Sequence, residues 1–549
     1  MKYRSPLFYL SLLAAGLFSC GSPDSGNAGK AKVFKYNEIA GITSLDPAAA
    51  NNLENIWAIN QIFNGLVELD DSMRVRPSIA KRWEVYDDGL EYTFYLRKDV
   101  FFHDHPLFPE GKGRRVVASD FVRSFQRLRE HKSEHSSRFF FKLLDLNDEN
   151  NNLGCSAPND TTFRIFLKTP FPPLLEVLTM QYFVVVPVEI ADQLGEEFRF
   201  KPVGTGPFRF KIWDEGSKLV LVKNEQYFEY ENGNRLPYLD GVAITFVRDK
   251  ESLMTEFFAG RLDMISGADA MNLNLVLDRN GEMKPELKDS FLMQKSPFLK
   301  TDYLGFLVDP ALDIVKESPI KNKWVRQAMN YAIDRESLVK QLRHNIGYPA
   351  RAGFVPRGMP SYNENKVKGY TYDPDKARKL LAKAGYPGGK GLEEIILHIT
   401  PNHLKLSEFI EKQLEDVGFK VKINVNQPIV QREDIESSRI LFFRKTWVAD
   451  YASPENFLSV FYGKNFSPNG PNYFHFRNEA FDKIYQWALK EQDEMQRLSF
   501  YQQMDNIILE EAVVIPLYYD EVLRFVQKGV EGLSTNPMNL LNLKRVKKS

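Results

Sequence analysis

Cysteine is nearly absent from this sequence, since only two occur among 549 residues. So few cysteines exclude a disulfide framework and a structural zinc site built from cysteine pairs. Net charge is also absent, because 72 Lys and Arg balance 72 Asp and Glu, and this balance excludes the basic surface of a general nucleic-acid binder. The composition is that of a globular protein, which excludes wholesale disorder and collagen-like structure.

Aromatic residues are abundant: they make up 13% of the chain, with 41 Phe and 24 Tyr. This content indicates a large hydrophobic core or a stacking pocket. At about 100–200 residues per domain, the length allows two to four domains or one large chain folded into lobes. The sequence therefore predicts a large, neutral protein that engages something small.

Long apolar runs are scarce, and the longest one lies at the N-terminus. It extends from Leu7 to Phe18 and follows the basic residues Lys2 and Arg4. A run of about a dozen residues is too short for a membrane-spanning helix of about 20, so it predicts the core of a signal peptide. The segment Leu17–Gly21 resembles the cleavage box of bacterial lipoproteins, with a small residue before Cys20.

This N-terminus predicts a signal peptide over residues 1–19, a lipid-carrying Cys20 and a flexible tether over residues 20–32. The tether is predicted from its small, polar composition. The protein is then expected in the bacterial cell envelope, anchored by its lipid and facing the periplasm. An ordinary signal peptide that happens to contain a cysteine remains the alternative.

Strand and helix patterns alternate along the rest of the chain. Residues 83–96 predict a hairpin with a turn at Asp88–Gly89, because tyrosine, phenylalanine and leucine alternate after that turn. Helices are predicted at 325–342, 373–385 and 404–417, and a strand at 419–425. Such a succession indicates a mixed α/β body.

Catalytic chemistry has little support in the sequence. His131, Glu134 and His135 fit the spacing H-x-x-E-H of a zinc-protease motif, but the surroundings are charged and typical of an exposed turn. His103 and His105 are expected in a polar loop. We predict no catalytic residue, no metal site and no cofactor, and therefore a protein that is not an enzyme.

Several ordered segments together resemble bacterial extracellular solute-binding proteins of family 5, the oligopeptide- and dipeptide-binding type. The resemblance covers nearly the whole chain from about residue 42. The segments are Ser44–Pro47, Ile62–Leu66, Pro77–Trp83, Leu96–Asp104, Val117–Val122, Pro202–Phe208, Ala259–Asp263, Val325–Arg335 and Asp373–Gly385.

This resemblance implies an α/β, two-lobed periplasmic binding-protein fold of the class II ("Venus flytrap") type with an inserted third subdomain. Lobe I is expected from residues 33–75, 201–297 and 521–549, the inserted subdomain from 76–200, and lobe II from 298–520. The implied function is a membrane-tethered receptor that captures short peptides by lobe closure and delivers them to the permease subunits of an ABC transporter. A monomer without a nucleic-acid partner is expected.

The resemblance also implies a ligand site in lobe II. Asp450 matches the residue that holds the α-amino group of a bound peptide, because an ammonium taken out of water needs an ionised, hydrogen-bonded partner. Trp447 and the backbone at Thr446 and Val448 are expected beside the peptide backbone, and Arg444 near its carboxylate end or a side-chain pocket. Further expected cleft positions are Tyr303, Asn51 and Leu53.

Three alternatives remain open at this stage. The same fold also takes non-peptide solutes such as oligosaccharides, nickel chelates or haem, although an aspartate at position 450 favours an ammonium. An envelope metallohydrolase would use His131, Glu134 and His135. A chaperone or interaction role in the envelope predicts no tight small ligand.

Overall fold

A computed structural model describes residues 31–131, 137–146, 153–267 and 271–549. Helices and strands alternate through these ranges, so the predicted α/β class is confirmed. Within the described ranges, none of the helices combines the length and apolar character that crossing a bilayer requires.

The elements are numbered in chain order. The helices are α1 (Leu53–Ile62), α2 (Ala118–Glu130), α3 (Arg138–Leu143), α4 (Leu174–Val177), α5 (Val188–Leu194), α6 (Lys250–Phe258), α7 (Leu273–Val276), α8 (Asp313–Lys316), α9 (Lys323–Ala332), α10 (Arg335–Leu342), α11 (Pro374–Lys383), α12 (Leu404–Glu415), α13 (Pro428–Glu436), α14 (Pro454–Leu458), α15 (Glu479–Ala488) and α16 (Glu494–Glu511). The strands are β1 (Val33–Asn37), β2 (Val67–Leu69), β3 (Val75–Pro77), β4 (Ala80–Tyr86), β5 (Glu91–Leu96), β6 (Cys155–Asn159), β7 (Thr162–Phe166), β8 (Phe208–Asp214), β9 (Lys218–Lys223), β10 (Tyr230–Glu231), β11 (Asn234–Arg235), β12 (Gly241–Thr245), β13 (Met264–Ser266), β14 (Phe291–Phe306), β15 (Tyr348–Pro349), β16 (Ile395–Ile399), β17 (Val421–Val425), β18 (Phe442–Val448), β19 (Val514–Gln527), β20 (Val530–Glu531) and β21 (Lys547–Lys548).

One large mixed sheet connects the two lobes. Its strand order is β17-β16-β18-β14-β19-β13-β1-β12-β9-β8, with β15 paired to β19. The strands from β13 to β8 fall within the ranges predicted for lobe I, and β17, β16 and β18 fall within the range predicted for lobe II. The long antiparallel strands β14 and β19 lie between these groups and run through both lobes.

The crossing between lobes is marked by a break in strand register. The first half of β14, up to Pro297, pairs with β19 from Glu521 onward, and pairing resumes between Thr301 and Tyr519. A register shift lies between Pro297 and Thr301. The predicted lobe boundaries at 297/298 and 520/521 fall within this segment and stay predictions.

A separate four-stranded sheet, β4-β5-β7-β6, lies within the range predicted for the inserted subdomain. Its hairpin turn contains Asp88 and Gly89 at φ of 50° and 93°, so the hairpin prediction is confirmed. Phenylalanine rings fill the core against this sheet, with ring centroids 4.6–6.4 Å apart. These rings are Phe94, Phe121, Phe125, Phe140, Phe163 and Phe183. Part of the high aromatic content therefore builds the core.

Lobe II shows where local sequence signals succeed and where one fails. The side chain of Asp373 accepts a hydrogen bond from the Lys376 amide at 2.9 Å and begins helix α11, as predicted. The single helix predicted over 325–342 is wrong, because the chain breaks at Ile333–Asp334 into α9 and α10. Asp334 is extended and caps α10 by accepting from the Ser337 amide at 3.0 Å.

The C-terminal tail packs onto lobe I. Trp57 Nε1 donates to the carbonyl of Asn539 at 2.7 Å, and Gln61 Nε2 donates to that of Leu541 at 2.8 Å. Nearby, Lys544 Nζ lies 2.8 Å from carboxylate oxygens of both Glu68 and Glu229. The middle and the C-terminal part of helix α1 are thus held by residues 482 and 480 positions away in the sequence.

Candidate ligand-binding site

Strand β18 has one paired edge and one edge that is largely open. Along β14, pairing extends from Phe442 to Val448. On the opposite edge, β16 pairs only with Phe442 and Phe443. Among the described strands, none pairs with the outer edge at residues 444–448, so the part of this edge after Arg444 is available for strand-like hydrogen bonding.

The backbone groups of Thr446 and Val448 face this open edge. The Ala449 amide donates to the Leu299 carbonyl at 2.9 Å, towards β14. Backbone polar groups alternate sides along a strand, so residues 446 and 448 direct theirs the other way. Arg444 follows the same alternation, because its carbonyl accepts from Gln431 Nε2 at 2.9 Å on the outer side.

Asp450 lies just beyond the end of this strand, in a loop held by Asn456. The Oδ1 atom of buried Asn456 accepts from the Asp450 amide at 3.2 Å and from Trp447 Nε1 at 3.0 Å. Both Trp447 and Asp450 are half-buried, and Val448 is 44% exposed. One amide side chain therefore fixes the carboxyl-bearing loop relative to the strand edge.

The loop after Asp450 also contacts the inserted subdomain. Tyr451 is buried, and its ring centroid lies 5.7 Å from that of Phe139 in α3. Gln492 Nε2 of lobe II donates to the Asp88 carbonyl at 3.3 Å. Asp450 therefore lies next to a contact between the range predicted for lobe II and the range predicted for the inserted subdomain.

A lysine and a tyrosine lie near this loop, on the face of β18 that also carries Trp447. Lys445 Nζ is 4.3 Å from the centroid of the Tyr473 ring, and burial lowers the pKa of Lys445. Burial raises the pKa of Tyr473 to about 12, and the negative charges of Glu436 and Asp450 contribute to the same direction. The Asp450 carboxyl is thus close enough to act electrostatically on this cluster.

The positive charge of Arg444 is balanced by the buried carboxylate of Asp302. Its guanidinium forms a bidentate ion pair with Asp302, with Nε 3.2 Å from Oδ1 and Nη2 on Oδ2. Tyr518 donates its hydroxyl to Asp302 Oδ2 at 2.9 Å. The side chains of Arg444 and Asp302 are 8% and 0% exposed, so the structure places this arginine in the protein interior instead of at an open ligand pocket.

Tyr303 lies in the hydrophobic core of lobe II instead of the cleft. Its side chain is 0% exposed, and its ring centroid is 5.0 Å from Phe354 and 5.9 Å from Phe474. The hydroxyl has no hydrogen-bond partner among the described residues, and burial raises its pKa well above the usual value. This burial leaves no surface on Tyr303 for a ligand.

We expect Tyr303→Phe to leave peptide affinity unchanged and to raise the free energy of unfolding by up to about 1 kcal/mol, because it removes a buried hydroxyl that lacks a partner. Urea denaturation and calorimetric titration measure the two quantities. Tyr303→Ala is the matched comparison, and it should destabilise by about 3–5 kcal/mol through loss of packing. Weaker binding by Tyr303→Phe with unchanged stability would instead assign the hydroxyl to the ligand.

The two lobe I positions from the sequence lie at the start of α1. Asn51 is exposed ahead of the helix, and Leu53 is its half-buried first residue. Leu53 contributes to the wall of a cavity that also includes Lys300. Lys300 of β14 pairs with Val448, so this part of lobe I faces the crossing strand β14 on the paired side of β18.

Within the described ranges, no group of three or more His, Cys, Asp or Glu side chains could hold a metal ion. His131 Nε2 lies 3.9 Å from Asp46 Oδ2, whereas Glu134 and His135 fall outside the described residues. His103 is buried, its Nε2 lies 2.9 Å from the Gly206 carbonyl, and burial lowers its pKa to about 4. The predicted lipid site Cys20 also lies outside the described residues.

The fold and this site together define a two-lobed binding protein. Residues 74–469 match the family described as "Bacterial extracellular solute-binding proteins, family 5 Middle". The chain therefore belongs to family 5 of the bacterial extracellular solute-binding proteins, and the resemblance seen in the sequence is confirmed.

Individual proteins agree with this assignment. The chain is 29% identical to heme-binding protein A of Haemophilus influenzae over 492 residues, covering 87% of this chain and 85% of the relative. It is 26% identical to the dipeptide-binding protein of Escherichia coli over 495 residues, covering 87% of each. A solved structure of the periplasmic binding protein DppA from Helicobacter pylori in complex with the peptide STSA is 26% identical, with a TM-score of 0.75 and coverage of 94% of this chain and 98% of that one. The predicted two-lobed periplasmic binding-protein fold is confirmed.

Proposed function

We propose that this protein is a receptor for short peptides that serves an ABC importer from the cell envelope. The open edge of β18 carries the proposal, because Thr446 and Val448 offer backbone groups there and Asp450 lies at the end of the same edge. A peptide added as an edge strand gains main-chain hydrogen bonds that do not depend on its side chains. Its α-amino group then reaches the Asp450 carboxylate.

The role that we propose for each residue of the site follows from its charge and its burial. Asp450 supplies the negative charge for the ligand ammonium, and Asn456 holds the loop in place. Arg444 stabilises lobe II through Asp302 and is not assigned to the ligand carboxylate. Val448 and Trp447 offer apolar surface beside the peptide backbone.

Two relatives support peptide delivery to a transporter. The Escherichia coli relative is named for dipeptide binding, and the Helicobacter pylori structure is described as ABC transporter-associated and holds a peptide. From the cleavage-box segment Leu17–Gly21 we propose a lipid on Cys20 that tethers the protein to a bacterial membrane, facing the periplasm and the permease subunits. Haem is the second candidate ligand, because another relative is named heme-binding protein A.

Native mass spectrometry of protein purified without denaturation from its own membrane fraction tests the ligand class. We expect a heterogeneous set of short peptides, released on unfolding and identified by sequencing. The Asp450→Ala variant, purified in parallel, should carry much less peptide. A single haem, metal chelate or sugar in the wild-type protein would overturn the peptide assignment.

A further inference from the structure

A cavity of about 480 Å³ lies between lobe I and the crossing strand β14, within the size range of ligand pockets. It opens at the carboxyl ends of the parallel strands β1 and β13, the edge where α/β sheets bind ligands. The N-terminal part of α1 forms one side. The lining residues are Asn37, Glu38, Ile39, Ala40, Leu53, Glu54, Trp57, Lys250, Met264, Ser266, Gly267, Lys300 and Asn539.

Glu38 is the unusual residue of this cavity. Its Oε1 atom is shielded from solvent and accepts no hydrogen bond from any described residue. Burial raises the pKa of Glu38 to about 8, and the negative charge of Glu54 across the cavity adds to this direction. Two carboxyl groups therefore share a partly enclosed space, and the Oε1 atom of Glu38 lacks a donor there.

Neither of the two lysines that line the cavity, Lys250 and Lys300, forms an ion pair with Glu38. Lys300 Nζ instead forms an ion pair with Asp520 Oδ2 at 2.7 Å. Lys250 is exposed at the first turn of α6 and forms no ion pair with Glu38 within 4.0 Å. On the strand side, burial and the charge of Glu38 raise the pKa of Tyr36 well above its usual value, so this phenol is neutral.

We propose that this cavity is the subsite for a positively charged side chain of the bound ligand, an ammonium or a guanidinium, with Glu38 as its acceptor and Glu54 as a second negative group. The proposal rests on the proposed function and names a preference within the same cleft. A cation supplies the missing donor to Oε1 and offsets the repulsion between the two carboxylates. A ligand carboxylate would instead add a third negative charge.

The apolar walls suit the stem of such a side chain. The ring of Trp57 is held by the bond from its Nε1 to Asn539, and Leu53 and Met264 supply aliphatic surface. Lysine and arginine bury their methylene stems against surfaces of this kind while the charged head stays with its polar partners. Lys300 on the cavity wall pairs with Val448, so the subsite lies across the sheet from the proposed peptide edge.

Binding of the cation requires Glu38 to ionise, so one proton leaves Glu38 for solvent as the complex forms. The affinity for a cationic peptide should then rise with pH up to about pH 8, where Glu38 ionises in the free protein. The ligand α-amino group titrates in the same range. The informative quantity is therefore the ratio of dissociation constants for two peptides that share that group.

Calorimetric titration with Ala-Ala-Ala and with the three tripeptides that carry one Lys tests the subsite. We expect one Lys position to bind about tenfold more tightly than Ala-Ala-Ala at pH 8, and this ratio to shrink as the pH falls to 6. Glu38→Gln should abolish the preference and its pH dependence. Glu251→Gln, an exposed acid on α6 outside the cavity, is the matched control and should retain both.

The outcomes separate the two proposals. If the tripeptides bind but no Lys position is preferred, or if Glu38→Gln retains the preference, the subsite is refuted and peptide binding stands. If none of the tripeptides binds to the wild-type protein, peptide binding itself is refuted, and the subsite falls with it. Thermal melting of each variant verifies that the lobes are folded.

Discussion

Replacing Asp450 with alanine is expected to weaken peptide binding by about 2–5 kcal/mol, because the ligand ammonium would be enclosed without its ionised partner. The fold should survive the change. The contact that holds the loop joins the Asp450 backbone amide to Asn456, and alanine retains that amide. Calorimetric titration of the variant with a peptide that the wild-type protein binds measures the loss.

Acetylation of the peptide α-amino group provides the complementary change on the ligand. In the wild-type protein it should weaken binding to a similar degree, and it should add little to the effect of Asp450→Ala, because both changes remove the same interaction. Asp375→Ala, at an exposed acid on α11, is the matched control and should bind like wild type. Equal affinity for free and acetylated peptides would refute the role of Asp450.

Replacing Asp302 with alanine is expected to lower the free energy of unfolding by about 3–5 kcal/mol, because Arg444 would remain buried without its carboxylate. Both side chains lie in the interior, and the Tyr518 hydroxyl would lose its acceptor as well. Urea denaturation followed by tryptophan fluorescence measures the change.

Two further variants show whether the loss comes from an unmatched charge. The double variant Asp302→Leu with Arg444→Met removes both charges and should be clearly more stable than Asp302→Ala alone. Asp313→Ala breaks an exposed pair with Lys316 and should unfold like the wild-type protein. Unchanged stability of Asp302→Ala would mean that Arg444 finds another partner, which would restore it as a candidate for ligand contact.

Local sequence signals predicted elements whose ends are set by nearby residues. Asp373 caps α11 as its sequence indicates, and the turn at Asp88–Gly89 adopts positive φ. The break at Asp334 was missed because the apolar spacing continues across it, while the cap of α10 competes with helix continuation. Periodicity reports which face is buried, but it does not report whether one helix or two carry that face.

Residues of the candidate site could be proposed from the sequence only where they belong to a motif of the family. Asp450 and the backbone of Thr446 and Val448 came from resemblance to the family. Asn456, which holds the loop, lies six residues after Asp450, and an asparagine near a helix start is more readily interpreted as a cap. Glu38 carries no local signal at all, because a single acid after a strand is common in any sequence.

The sequence by itself determined the class of protein, through its neutral charge, its scarce cysteines and its ordered family segments. Only the tertiary structure decided which edge of β18 is open, and that Arg444 is matched by Asp302, 142 residues away. It also brought Glu38, Glu54 and Lys300 to one cavity. These outcomes depend on strand pairing and burial between distant segments, whose energies are set by three-dimensional neighbours and leave no periodic trace in the chain.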